Sequence, residues 1–472
     1  MAAPFHFEHT FDFISERASE ILSSIPTQAG VFALCGVDPA AQPYLTRAAD
    51  LRRRIRRLLD PPASQSKRLN LRERVARIEY TVTGSEFEST LLLYHATSAH
   101  FGAVEARRRL RLHTPFMARV TVENHYPRAY VTNKLSKRGL AHTYGPFPSR
   151  AGAERYCDAV LDLFKVRRCH EDLEPYPEHP GCVYGEMGKC LAPCNQSCTD
   201  AQYAAEAEAM QAFFDTGGRS MLSALEAARE QASAEMEFER AAELHTQWQK
   251  VKTATALADE LVRTIPLLRG VIVQPSAQQD KVHASLFLLH AGCLTGPEPL
   301  STLGVRAVKQ QTEVGSSLFA QPLMLQAIPL EGEPAATPTH SPEARAEAAL
   351  SALEAPSGKP ADLTTLSDHL SLLRRWYYRP EKHRTGELFL PNLDGAWPIR
   401  RILNAAARAA LGDPEPMAET RRDLATRNPE EPVQPPAKTK VLHAGRPDVE
   451  REVSVVDRPL FRSRRSRPSH IP

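Results

Sequence analysis

Cys182-Val183-Tyr184-Gly185-Glu186-Met187-Gly188-Lys189-Cys190-Leu191-Ala192-Pro193-Cys194-Asn195-Gln196-Ser197-Cys198 is the stretch that divides the chain. It carries neither the 3.6-residue apolar period of a helix nor the alternation of a strand. With Cys169 in front, residues 169–198 hold five of the eight cysteines, four prolines and three glycines. Something other than an apolar core must order such a segment, and a bound metal is the physical alternative. Four thiolates at Cys169, Cys182, Cys190 and Cys194, with Cys198 behind, satisfy either a tetrahedral zinc or a four-iron cluster. The spacing shows no CxxC pair, so it does not name the metal.

Downstream, residues 201–261 are rich in Ala, Glu, Gln and Arg, with one break at Gly217-Gly218. Leu222, Leu225, Ala228 and Ala232, then Phe238, Ala241 and Leu244, recur at helical spacing. Two antiparallel helices meeting near residues 235–237 are predicted. The turn reads Glu237-Phe238-Glu239-Arg240-Ala241-Ala242-Glu243-Leu244. Phe238 is either an exposed anchor for a partner hairpin or an ordinary core ring between two helices. Periodicity does not separate the two.

Upstream, Gly30-Val31-Phe32-Ala33-Leu34-Cys35 reads as a strand, with Tyr44-Leu45 as its hairpin partner. Leu51, Ile55, Leu58 and Leu59 mark a helix with arginines between them, and Ile78-Glu79-Tyr80-Thr81-Val82 alternates as a third strand. Residues 91–99 read as a helix, 118–122 and 129–131 as strands, and 144–148 as a turn before a helix through Leu161 and Phe164. After the helical hairpin, residues 271–273 and 282–291 read as strands ending in a loop at 292–296. Residues 332–362 have the composition of a linker. Leu370, Leu373 and Trp376, then Ile402, Ala406 and Leu411, predict two helices in a small module, and the Arg-rich end reads as a disordered tail.

The chain has 472 residues and a formal net charge of only +3, with 42% hydrophobic and 24% charged residues. A wholly disordered chain is excluded, and eight cysteines are too sparse for a disulfide scaffold. No run approaches the roughly 18 apolar residues that span a membrane. The expectation is a cytoplasmic protein with reduced thiols, no membrane partner and no evident small-molecule substrate. Charge is locally uneven. Residues 47–119 hold fifteen Arg and one Lys against seven Asp or Glu. Arginine suits bidentate phosphate contact, and such an excess attracts polyanions by counterion release. Candidate DNA contacts are Arg47, Arg52, Arg53, Arg54, Arg56 and Arg57; a solvated face is the alternative. Tyr44 and Arg54 near a strand–helix junction, with Phe32 on the neighbouring strand, could handle a phosphodiester, but the residues alone favour a buried structural Tyr44.

In order along the chain, these features resemble the UvrC family, the nuclease subunit of bacterial nucleotide excision repair. Ile25-Pro26-Thr27-Gln28-Ala29-Gly30-Val31-Phe32 and Tyr44-Leu45-Thr46-Arg47-Ala48-Ala49-Asp50-Leu51-Arg52-Arg53-Arg54 resemble the two halves of its GIY-YIG nuclease motif. Tyr144-Gly145, Phe147-Pro148 and Leu163-Phe164-Lys165-Val166-Arg167-Arg168-Cys169 resemble its connecting region. Gly188-Lys189-Cys190-Leu191-Ala192-Pro193-Cys194 resembles its Cys-rich motif. The resemblance implies that the four cysteines hold a 4Fe-4S cluster, with Zn the alternative. Residues 237–244 resemble the UVR motif. That implies docking on UvrB, with UvrA nearby, through Glu237, Phe238, Glu239, Arg240, Ala241 and Leu244.

The departures point to an impaired nuclease. In the family two tyrosines, an arginine and a metal-binding glutamate work together. Here Phe32 stands for the first Tyr, without the hydroxyl needed to move a proton or orient water. Tyr44 and Arg54 match. Leu91-Leu92-Leu93-Tyr94-His95 offers no carboxylate at the glutamate's place, and Glu86 and Glu88 lie upstream. Mg or Mn is expected only if the site cuts. Neither the family's ribonuclease-H-like domain nor its helix-hairpin-helix domain is visible in the pattern after residue 300, so a truncated UvrC-like chain is expected. The predicted fold class is α+β multidomain: a degenerate GIY-YIG-like domain at 15–100, an α/β connecting region at 101–168 and a Cys-rich segment at 169–200. A UVR hairpin at 201–262, a β-rich region at 263–331 and a linker at 332–365 follow. A small helical module at 366–412 and a disordered basic tail at 413–472 complete it. The expected function is DNA binding and UvrB docking in DNA repair and the SOS response; the alternative is a divergent endonuclease making one incision, with Glu86 or Glu88 as metal ligand.

Overall fold

The computed structural model describes residues 5–38, 41–61, 69–170, 173–305, 341–355, 362–392 and 394–412. Its first sheet is antiparallel and joins β1 (His9–Asp12), β2 (Gly30–Cys35), β3 (Tyr44–Ala48) and β4 (Arg77–Val82) in the order β1-β4-β2-β3. Apolar alternation decides its faces. Phe32, Leu34, Ile78 and Tyr80 pack against Leu51, Ile55, Leu58 and Leu59 of α2 (Leu51–Leu59) and against Leu22 of α1 (Ala18–Ser24). Gly30 has no room for a side chain: a Cβ there would lie 2.4 Å from the Thr81 carbonyl oxygen. The strand pair Phe32–Thr46 and the α2 helix fall where the apolar pattern predicts.

The second sheet runs β6 (Ala129–Thr132), β5 (Met117–Val120), β7 (Thr143–Gly145) and β8 (Arg263–Thr264). Against it lie α5 (Arg150–Leu161), α7 (Asp200–Thr216) and the root of α9 (Phe238–Thr255), around buried Tyr144, Tyr156, Tyr203 and Phe213. Two of the tyrosine hydroxyls in this core have close partners: Tyr203 donates to the Pro127 carbonyl and Tyr144 to Asp215, both at 2.7 Å. Two helices were expected over 201–261, and three are found. Gly217 and Gly218 take left-handed φ angles of 60° and 79°. They end α7 and start α8 (Arg219–Ala234), so α7 joins the core and only α8 and α9 form the hairpin.

The third sheet, β11 (Cys293–Ser301), β10 (His283–His290), β9 (Gly270–Pro275) and β12 (Glu387–Phe389), is antiparallel and buried on both faces. Val271, Val273, Leu286 and Leu288 face α10 (Pro342–Glu354) and α12 (Ile399–Leu411). Ile272, Phe287 and Leu289 face α11 (Leu363–Tyr377) and also Phe87, Leu91 and Tyr94 of α3 (Glu86–Phe101).

Four readings change accordingly. The loop expected at 292–296 is the turn into β11, which pairs with β10 from Cys293 onward. The linker expected at 332–365 contains α10: Ser341 caps it, Pro342 occupies the first turn where a missing N–H costs nothing, and Ala346, Leu350 and Leu353 are buried. Residues 366–412 are no separate module, because β12 pairs with β9 and α11 and α12 cover opposite sheet faces. Residues 15–100 are not self-contained either. α3 follows their sheet yet buries its apolar side against β10 and α11, and Arg107 on α4 (Ala103–Arg109) pairs with Asp368 at 3.4 Å. The 306–331 part of the β-rich region, the 332–340 part of the linker and the tail 413–472 lie outside the described residues. Among the described residues no helix is long and apolar enough to cross a membrane.

Candidate functional site

An arginine basin opens where β3 meets α2. Asp50 caps the helix, accepting the Arg53 backbone N–H at 2.8 Å, and its four leucine and isoleucine residues turn inward. The arginines between them turn outward. Arg47, Ala48, Ala49, Asp50, Arg53, Arg54 and Arg57 line a cavity of about 540 Å³. Four guanidiniums against one carboxylate make the wall strongly positive, and that carboxylate is already bonded to the helix start. Arg54 Nη2 donates to the Tyr44 hydroxyl at 3.3 Å. Phe32 is fully buried, its ring centroid 6.3 Å from that of Tyr44. Arg52 turns away, donating to the Ile25 carbonyl at 2.5 Å, while Arg56 is exposed outside the lining. Of the six candidate arginines, four come together.

Neither glutamate joins Tyr44 and Arg54. Tyr44 packs with the first core, while Arg47, three residues further along β3, sits at the edge of the basin. Arg47 Nη2 donates to Glu86 at 2.8 Å, which places Glu86 with it. Arg379 grips the same carboxylate with both terminal nitrogens, at 2.6 and 2.8 Å. The Arg379 hydrogen bonds, helped by Arg47, hold Glu86 down to about 2. Glu88 is 6% exposed and accepts the Gly84 N–H at 2.9 Å; burial pushes its carboxyl up to about 7. Arg379 was missed in the sequence because it lies beyond α11, 293 residues from Glu86, with no local motif to mark it.

The cysteine segment, which carries the short helix α6 (Val183–Glu186), hangs from the second core. Leu191 and Cys198 pack against that core, so Cys198 has a structural place apart from the other four. Cys190 and Cys194 are buried; Cys169 and Cys182 are half-buried. The Ala192 N–H donates to Cys190 Sγ at 3.3 Å, with Ala192 in the left-handed region at φ 52°. Burial pushes the Cys190 thiol up to about 11, and the charges of Cys182, Cys169 and Cys194 add to the rise. As they stand, the described residues include no ready group of three or more His, Cys, Asp or Glu able to hold a metal. The donor set is right in kind: four thiols, two of them buried, and one receiving a backbone N–H.

The α8–α9 hairpin is rooted and bare at its tip. Val251 and Ala254 fix its base in the second core, while Leu222 and Leu225 lie along that core's margin. At the turn the Glu237 N–H donates to the Ala232 carbonyl at 2.8 Å, and Met236 adopts a left-handed φ of 61°. Phe238 is 68% exposed and Met236 76% exposed. Glu237 pairs with Arg240 at 3.0 Å, Glu239 is exposed, and Ala241 and Leu244 are half-buried.

Two family models match the chain: the UvrC/Cho excinuclease middle domain over residues 116–213, and the UvrB/uvrC motif over residues 219–254. The chain is UvrC-like. The first match begins just before β5 and ends within α7, so it takes in the second sheet and the cysteine segment; the second covers α8 and nearly all of α9. A UvrABC system protein C of Symbiobacterium thermophilum is 28% identical over 255 residues, 54% of this chain and 39% of that protein. One from Haloarcula marismortui is 29% identical over 289 residues, 58% of this chain and 46% of its own. One from Dehalococcoides mccartyi is 23% identical over 301 residues, 62% and 48%. The UvrC-like chain thus spans less than half the length of these relatives. No solved structure matches it.

Proposed function

We propose that this UvrC-like chain is a DNA-binding protein of the nucleotide excision repair type. It docks on UvrB through the α8–α9 tip and meets the DNA backbone at the arginine basin. The observation that carries this reading is Phe238: an aromatic ring, flanked by Glu237 and Glu239, stands 68% exposed at the tip of a hairpin matched by the UvrB/uvrC motif. An exposed large ring on a rigid turn is what a partner's apolar pocket buries.

The GIY-YIG-like site cuts poorly in this reading. Tyr44 and Arg54 keep their contact and can hold a phosphate, but Phe32 supplies no hydroxyl. Glu86 is taken up by Arg47 at the basin's edge and by Arg379, and Glu88 is sealed in its helix turn. A phosphodiesterase without a metal-binding carboxylate lacks both charge neutralisation and an activated nucleophile. Cys169, Cys182, Cys190 and Cys194 hold a 4Fe-4S cluster, or a zinc ion in its place, which when bound would cross-link a segment with little core of its own.

The test is reconstitution on damaged duplex DNA with UvrA, UvrB and Mg or Mn. The chain should enter the UvrB–DNA complex and leave both strands intact. Specific incision would favour the divergent endonuclease, which the Tyr44–Arg54 contact alone supports. Failure to enter the complex would overturn the reading.

A further inference from the structure

Glu86 is held in a way that nothing in the nuclease-like domain requires. It is the first residue of α3, its side chain is 44% exposed, and two guanidiniums from distant parts of the chain close on it. Arg379 binds it through both terminal nitrogens and Arg47 through one. A flat oxyanion gripped by one bidentate arginine and a second single contact is the arrangement with which paired arginines hold a phosphate. Both arginines are partly exposed, at 38% for Arg47 and 35% for Arg379, so the position is open to a ligand from solvent. Arg47 also lines the arginine basin, which makes the two positions continuous. Glu86 stays ionised at every physiological pH, so only another anion, and not a proton, removes it.

We propose that Arg47 and Arg379 form a second phosphodiester position beside the basin, and that Glu86 occupies it as a built-in competitor in the DNA-free protein. This rests on the basin being the DNA contact. The C-terminal half of the described structure then contributes directly to DNA binding, since Arg379 follows α11. Glu86 sets a threshold: a backbone phosphate must displace it, so weak or distorted contacts are discriminated against relative to duplex that engages the basin fully.

The experiment is a fluorescence-anisotropy titration of a labelled duplex against the full chain, at several salt concentrations. Glu86→Gln should bind about fivefold tighter than the native protein, the worth of one exposed charge contact released. In the Glu86→Gln background, Arg379→Ala should erase the gain and make the salt slope shallower by about 0.9, one phosphate's share. Melting curves of each variant show that it is folded, and Arg379→Lys provides a variant that keeps the charge but not the bidentate grip. A gain that persists in Glu86→Gln/Arg379→Ala is a general charge effect and overturns the proposal. So does an unchanged affinity in Glu86→Gln while Arg53→Ala and Arg57→Ala weaken binding, an outcome that leaves the basin reading intact. If the native chain binds no duplex even at low salt, the basin reading fails and this proposal falls with it.

Discussion

Phe87→Ala tests whether the N-terminal sheet and the third sheet form one cooperative structure. Phe87 is 5% exposed; its ring meets Phe287 of β10 edge-on at 5.1 Å and lies 5.1 Å from Trp376 of α11. Removing a buried Phe costs about 3–5 kcal/mol in transfer and cavity terms. The two ring pairs account for about 0.5–1.5 kcal/mol each of the part beyond area burial. Because the ring is carried by α3 and received by β10 and α11, that loss should be felt on both sides of the contact. Calorimetry and the fluorescence of the three tryptophans, Trp376 among them, should report the same transition, shifted down together. At about 2 °C per kcal/mol the expected shift is about 6–10 °C. The reasoning is refuted if the N-terminal residues melt in a transition of their own while that of residues 263–412 stays in place.

Other expectations follow from the same geometry. Four basin arginines imply a salt slope near −3.6, so raising salt from about 50 to 200 mM should weaken DNA binding roughly a hundred-fold; Arg53→Ala/Arg57→Ala should make the slope shallower by about 1.8, and a flat slope in the native chain would leave the arginines as a solvated face. Protein purified without oxygen should carry about four irons per chain, lost together with order in residues 169–198 on Cys190→Ser. Stoichiometric zinc without iron would overturn the cluster and keep a structural metal. Glu88 has a folded pKa of about 7 against an ordinary value near 4.5, so the folded chain binds that proton more tightly. Its contribution is full below about 4.5 and is lost as pH climbs through 7. Glu88→Gln should therefore raise stability at pH 8 by on the order of 3 kcal/mol and leave it nearly unchanged at pH 4; equal denaturation curves at pH 8 would contradict this.

What was legible in the sequence was local. The strand pair Gly30–Cys35 and Tyr44–Ala48 and the helix Leu51–Leu59 are written in apolar periods of two and 3.6, and these periods survive folding unchanged. The hairpin turn near Glu237 was legible too, although periodicity left open whether Phe238 faced in or out. Only the tertiary placement of the hairpin root shows that it faces out. α10 was hidden because Pro, Ala and Glu describe a linker and a Pro-initiated helix equally well; burial of Leu350 and Leu353 decides between them. The second role of α3 was hidden because its apolar residues run almost all round the helix, which gives no single face to read. Arg379 was out of reach of any pattern, since its partner Glu86 lies in another part of the chain and only the fold brings them together.

The most direct measurement of the central claim is the dissociation constant of the full chain for UvrB, native and Phe238→Ala, with the melting curve of each. A well-seated aromatic anchor costs more than about 2 kcal/mol when truncated, so Phe238→Ala should bind roughly thirty-fold more weakly. Because Phe238 is 68% exposed in the free chain, its melting temperature should be almost unchanged. Equal affinities for the two proteins, or a Phe238→Ala chain that unfolds, would contradict the account.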